Sequence, residues 1–138
     1  MLEHMNRHTI RLVAAGLAAA MAVIYFLIGV GVLTVVDGQA GDPSMLGFGA
    51  SAGALFLVGA ILLFEFDRRW LWIAGALLQI FVAAMYVAVS PDRTPAFEVW
   101  GITLRVLQVP LFAALVYLAL RPTAPQPGRI QQSGRRHQ

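Results

Sequence analysis

Four long apolar stretches, parted by short polar segments, organise this chain. Leu12 to Val36 carries no charge, nor does Met45 to Phe64, whose only hydroxyl is Ser51. Trp70 to Val89 contains Gln79 and Tyr86 but no charge, and Val99 to Leu120 holds Arg105, Gln108 and Pro110. A bilayer's hydrocarbon core is about 30 Å thick and takes roughly 20 helical residues to cross. The pattern therefore predicts an all-α fold, a membrane-spanning bundle of four antiparallel transmembrane helices. They are expected at about residues 10–36, 45–64, 70–90 and 96–120.

The fourth stretch is the test case. An arginine near a span's centre costs about 2.5–3.5 kcal/mol on the insertion scale, and each Leu, Ile, Val or Phe returns about 0.3–0.6. About a dozen such residues lie between Val99 and Leu120. The balance is near zero or mildly favourable, and packing against the other helices decides it. The connections support four spans. Asp37 to Ser44 is turn chemistry, and Glu65 to Arg69 is a short charged link whose carboxylates are expected to pair with Arg68 and Arg69 at the interface. In Ser90 to Pro95, Thr94 suits an N-cap with Pro95 at the first helical position. Loops this short make neighbouring helices run antiparallel.

Arginine placement sets the orientation. Arg7 and Arg11 precede the first span, Arg68 and Arg69 follow the second, and Arg121, Arg129, Arg135 and Arg136 follow the fourth. Only Arg93 falls in a loop on the other side. By the positive-inside rule both termini are cytoplasmic. Trp70, Trp72 and Trp100 fall at the expected interfaces, as an aromatic belt does. The first apolar run is about 25 residues, longer than the usual 7–15-residue signal-peptide core, and is read as an uncleaved helix. Residues 1–120 thus form the transmembrane domain. Residues 121–138, rich in Pro, Gln, Gly and Arg without an acidic residue, form a disordered basic cytoplasmic tail.

Composition agrees. Hydrophobic residues make up 59% of the 138 and charged ones 12%, against about 25% charged in soluble domains. The mean hydropathy is +0.72. All ten basic residues are arginine, and with abundant alanine and glycine this suggests a bacterial plasma membrane. The pI of about 10.2 would elsewhere suggest nucleic acid, but these arginines flank the spans and orient them. The absence of cysteine removes disulfides, thiolate nucleophiles and cysteine-held metal sites. His4, His8 and His137 lie near the chain ends, so no span offers a histidine to a haem. No cofactor is expected.

Polar groups inside the spans carry what chemistry there is. At about 1.5 Å per residue, Gln79 and Gln108 lie close to the midplane, Arg105 about 6 Å outward and Tyr86 about 9 Å. Tyr25 and Ser51 can join the same layer. Glu98, Gly101, Arg105, Gln108 and Phe112 share one helical face, and Trp72, Gly75, Gln79 and Tyr86 form a stripe on the third helix. Helical side chains lean toward their N-terminus, so Arg105 should reach toward Glu98 over Gly101.

Two arrangements follow. In one, Arg105 and Glu98 form a neutral pair that fixes register while the glutamines bond across the interface, at about 0.6 kcal/mol each. In the other, Arg105 binds an anion in an outward-facing polar pocket with Gln79, Gln108, Tyr86 and Glu98 around it. Pro110 removes a backbone bond and should bend the fourth helix near Val106. The small residues Gly47, Gly49, Ser51 and Gly53, with Ala14, Ala18 and Ala22, allow helices to approach closely, within the bundle rather than between copies.

No catalytic triad, HExxH, Walker loop or dinucleotide fingerprint occurs. The expectation is a non-catalytic accessory or interaction subunit, with a membrane-protein partner or a second copy, in lipid. The alternative is a small transporter or ligand-binding membrane protein built on the Arg105 pocket.

Overall fold

The computed structural model describes residues 6–33, 43–89, 91 and 98–121. They form four helices: α1 (Arg7–Gly29), α2 (Pro43–Glu65), α3 (Arg69–Val89) and α4 (Val99–Leu120). All four are long and apolar enough to cross a membrane. Much of their apolar surface faces outward, with Val23, Ile61, Phe81 and Val109 all exposed. Water penalises such a surface and a bilayer does not. The loop between the first two spans, the Thr94–Pro95 helix start and the tail after Arg121 lie outside the described residues.

Three ends follow local chemistry. Asn6 caps α1, its side-chain oxygen accepting from the His8 N–H at 3.4 Å, and Pro43 opens α2 at a position where its missing N–H costs nothing. The α1 helix stops at Gly29, where sequence pattern extends it to residue 36. The reason is Gly31, at φ 77°, the left-handed region that glycine enters without strain. There the Gly31 N–H bonds the Ile28 carbonyl and the Val32 N–H bonds that of Leu27, closing the helix end.

The helices pack in a ring. α1 packs most extensively on α2 and less on α4, α4 packs on α3, and α2 barely meets α3. The α1–α2 seam is close because it is made of small residues. A Cβ added to Gly49 would come within 2.5 Å of the Gly29 nitrogen and 2.6 Å of the Tyr25 carbonyl oxygen. Ala14, Ala18 and Ala22 are buried on α1. Where α4 packs on α1 and on α3, larger residues fill the core, including Met21, Trp72, Leu111 and Leu115.

Four expectations need correction. Trp72 is completely buried, so it serves the core and not an interfacial belt, whereas Trp70 is 61% exposed. Ser51 stays outside the polar layer, because its hydroxyl donates to the Phe48 carbonyl of its own helix at 3.0 Å. Asp67 pairs with Arg7 and Arg11 from α1, 2.8 and 3.9 Å away, and not with its neighbours Arg68 and Arg69. The fourth helix, expected from about residue 96, is α4 from Val99, with Glu98 before it in extended conformation and making no side-chain cap bond.

Candidate functional site

The approach of α1 to α2 at Gly29 and Gly49 sets the site's first wall. It places Tyr25 against two rings of α2, stacked on Phe56 at 5.3 Å and edge-on to Phe48 at 6.0 Å. So held, the Tyr25 hydroxyl accepts a hydrogen bond from Arg105 Nη2 at 3.2 Å. On the other side the Arg105 guanidinium lies over the Tyr86 ring of α3, 4.7 Å from its centroid, a cation–π contact. One arginine on α4 thus touches α1 and α3.

Gly101, one turn before Arg105, makes room for two neighbours. A Cβ there would overlap the Glu98 carboxylate and lie 2.7 Å from Tyr86 Cε2. Glu98 is 5% exposed, so its carboxylate is folded into the bundle. A cavity of about 260 Å³ opens between these groups and α2, with Tyr25, Phe48, Phe56, Tyr86, Glu98 and Arg105 on its wall. Its lining is otherwise aliphatic and aromatic.

A second hollow of about 260 Å³ lies between α3 and α4, lined among others by Gln79, Gln108 and Arg105. Gln108 Nε2 donates to the Gln79 backbone carbonyl at 3.0 Å. The side-chain oxygens of Gln79 and Gln108 are buried without a donor among the described residues. Arg105 Nε and Nη1 are likewise buried without an acceptor among the described residues. A buried donor or acceptor left without a partner costs about 1–3 kcal/mol, and more when charged. Arg105, which lines both hollows, therefore carries that cost at two of its nitrogens.

The five residues singled out from sequence meet at Arg105. Tyr86 and Glu98 share the first cavity with it, and Gln79 and Gln108 share the second. Sequence reasoning placed Tyr25 at the right depth but gave it no role at the site. Phe48 and Phe56 gave no signal at all, since α2 is apolar on every side.

A separate charged cluster closes the opposite end. Arg7 grips Asp67 with two bonds, Nε to Oδ2 at 3.1 Å and Nη2 to Oδ1 at 2.8 Å. Its Nη1 donates to the Arg121 carbonyl at 3.0 Å, at the end of α4. Arg11 Nη2 donates to the Phe64 carbonyl, at the end of α2, at 2.7 Å. Cations at helix C-termini satisfy carbonyls that the helix leaves open. The Asp67 carboxyl is held below its usual value, first by the Arg7 hydrogen bond, which outweighs partial burial, and then by the charges of Arg7 and Arg11.

Compared with known proteins, the chain matches no family model, no curated protein and no solved structure.

Proposed function

We propose that this chain is a small multi-pass membrane protein that binds, without catalysis, an amphiphile whose head carries an acceptor oxygen. Arg105 is the binding group, with Tyr86, Glu98, Gln79 and Gln108 around it. One observation carries the reading: Arg105 lines a cavity, and its buried Nε and Nη1 have no acceptor among the described residues. A purely structural arginine would be expected to look like Arg7, with its donors spent on protein oxygens. The apolar remainder of the wall suits an amphiphile better than a free ion.

The same reading makes the bundle antiparallel, with both termini cytoplasmic in a bacterial plasma membrane. Supporting it, Arg7, Arg11 and Arg121 meet at one end, where the arginine-rich link between α2 and α3 also lies. The Arg105 cavity then belongs to the half of the bundle away from the cytoplasm.

The test is calorimetric titration of octanoate into the full chain in phosphatidylcholine nanodiscs. One saturable site that disappears in Arg105→Leu is the expected result. Octanoate uptake that is unsaturable, or unchanged by that substitution, refutes the reading.

An accessory role has one observation in its favour, the buried glutamine oxygens in the α3–α4 hollow, which a partner helix with a polar donor would satisfy. It predicts that Val109→Trp, at the rim of that hollow, alters the assembly formed in native membranes and leaves octanoate binding intact.

A further inference from the structure

The loose contact between α2 and α3 leaves more than one hollow. Beyond the Arg105 cavity, toward the Arg7 end, lies another of about 230 Å³. It is lined by Gly59, Leu62 and Leu63 of α2 and by Trp70, Leu71 and Ala74 of α3, among other residues. The two cavities share Leu55 and Phe56. On α3 their linings run on from one to the other, from Tyr86 back to Trp70. At 1.5 Å per residue that stretch is about 24 Å long. The two adjoining hollows line one side of the α2–α3 gap, a seam with Arg105 and Glu98 at one end and no other charged side chain along the rest.

We infer that the seam holds one long acyl chain, its oxygen-bearing head at Arg105 and its tail running between α2 and α3 toward Trp70. This rests on the reading of Arg105 as a binding group and adds the ligand's class. A leaflet's tails share half of a hydrocarbon core of about 30 Å, roughly 15 Å, so a seam of about 24 Å is longer than one leaflet and suits a single long chain in extended form. A short solute would leave most of the seam empty. Along the inner hollow the walls are aliphatic and aromatic except for Gln79 and the indole N–H of Trp70, and none of these groups is charged. Lipid tails are as apolar as leucine, so the seam gains little over bulk bilayer for the tail alone. The charge-assisted bonds at Arg105, stronger than neutral ones, supply the selectivity.

The inner hollow can be filled without disturbing the site. A Cβ at Gly59 meets nothing within 4 Å, so Gly59→Leu places a side chain in open space. It also replaces the weakest helix former after proline. Ala74→Phe does the same from α3, should the first variant fold poorly.

The experiment uses the full chain in phosphatidylcholine nanodiscs with palmitate bearing a photoreactive diazirine at its tail end. Labelling is mapped by mass spectrometry. The expected label falls on the seam around Gly59, Leu62 and Trp70, and is lost in both Gly59→Leu and Arg105→Leu. Octanoate binding survives Gly59→Leu. Competition by unlabelled palmitate alone assigns an anionic head, and competition by methyl palmitate as well assigns an acceptor oxygen of either kind. Both support the inference, whereas equal competition by hexadecyltrimethylammonium overturns it. Label spread over outward faces such as Val13 and Val23, unaffected by either substitution, also overturns it. If octanoate still binds at Arg105 while the tail label avoids the seam, the long-chain inference falls and the binding site stands. If neither probe depends on Arg105, both fall.

Discussion

The bundle uses arginine in two ways, which differ in where the side-chain donors go. At one end Arg7 and Arg11 are spent on the protein, on the Asp67 carboxylate and on carbonyls that end α2 and α4. They lie where helix termini supply acceptors, so α1 is stapled to its neighbours. Arg105 lies inside a span, where most backbone carbonyls are engaged in their own helix, although that of Val106, four residues before Pro110, lacks its usual donor. Arg105 finds a hydroxyl and the face of a ring, and Nε and Nη1 remain unpartnered among the described residues. At a helix end an arginine's donors are spent on the protein, whereas within this span Arg105 keeps two without an acceptor among the described residues.

Removing each arginine in turn sharpens the contrast. Arg105→Leu has the largest expected effect, on binding. Hydrogen bonds to a charged group are worth about 1.5–3 kcal/mol, so octanoate affinity should fall roughly tenfold to a hundredfold. Unfolding by denaturant should move by less than about 1 kcal/mol, because single interhelical bonds in membranes average about 0.6. Arg7→Leu is the mirror image. It breaks a two-pronged carboxylate contact and a helix-end bond, so stability should fall by about 1–3 kcal/mol while octanoate affinity stays at the wild-type value. Binding lost in both variants would erase the distinction.

Acid should weaken only the stapled end. The Asp67 carboxyl is lowered in the folded protein. Its contribution is therefore complete above the unfolded carboxylate value of about 3.9 and is lost as pH falls through the lower folded value. Thermal midpoints of the wild type and Asp67→Asn, compared from neutral pH downward, should differ near neutrality and converge in strong acid. The difference should be small, since the pair is partly open to solvent. A gap that widens on acidification contradicts this. Smallest of all, Arg121→Ala removes a cation–π contact at 4.6 Å from the Tyr117 ring. About 0.5–1 kcal/mol of stability is expected to go, with octanoate binding unaltered.

The spans were legible from the sequence because hydropathy over twenty residues is a property of the local chain. Their packing was not. Gly31 ends α1 inside an apolar run that looks continuous, since a left-handed residue between two valines leaves no mark on hydropathy. In sequence the adjacent Arg68 and Arg69 mask the true partners of Asp67, Arg7 and Arg11, more than fifty positions away. Gln79, Tyr86, Glu98, Gln108 and Arg105 stood out as polar residues in or beside the apolar spans. The residues that complete the wall, Tyr25, Phe48 and Phe56, are aromatic among aliphatics, and only the close approach of Gly29 and Gly49 brings them to Arg105. Depth and helical face could be counted along the chain, but the ring order of helices, which leaves α2 and α3 apart, could not.

Arginine side-chain Nε–H resonances give the most direct test of the difference between the two clusters. In ¹⁵N-arginine protein in nanodiscs, each assigned by its Arg→Lys variant, octanoate should shift the Arg105 Nε–H downfield and saturably. The Arg7 and Arg11 signals should stay in place. An Arg105 resonance that ignores octanoate, or one that moves no further than those of Arg7 and Arg11, would contradict the account.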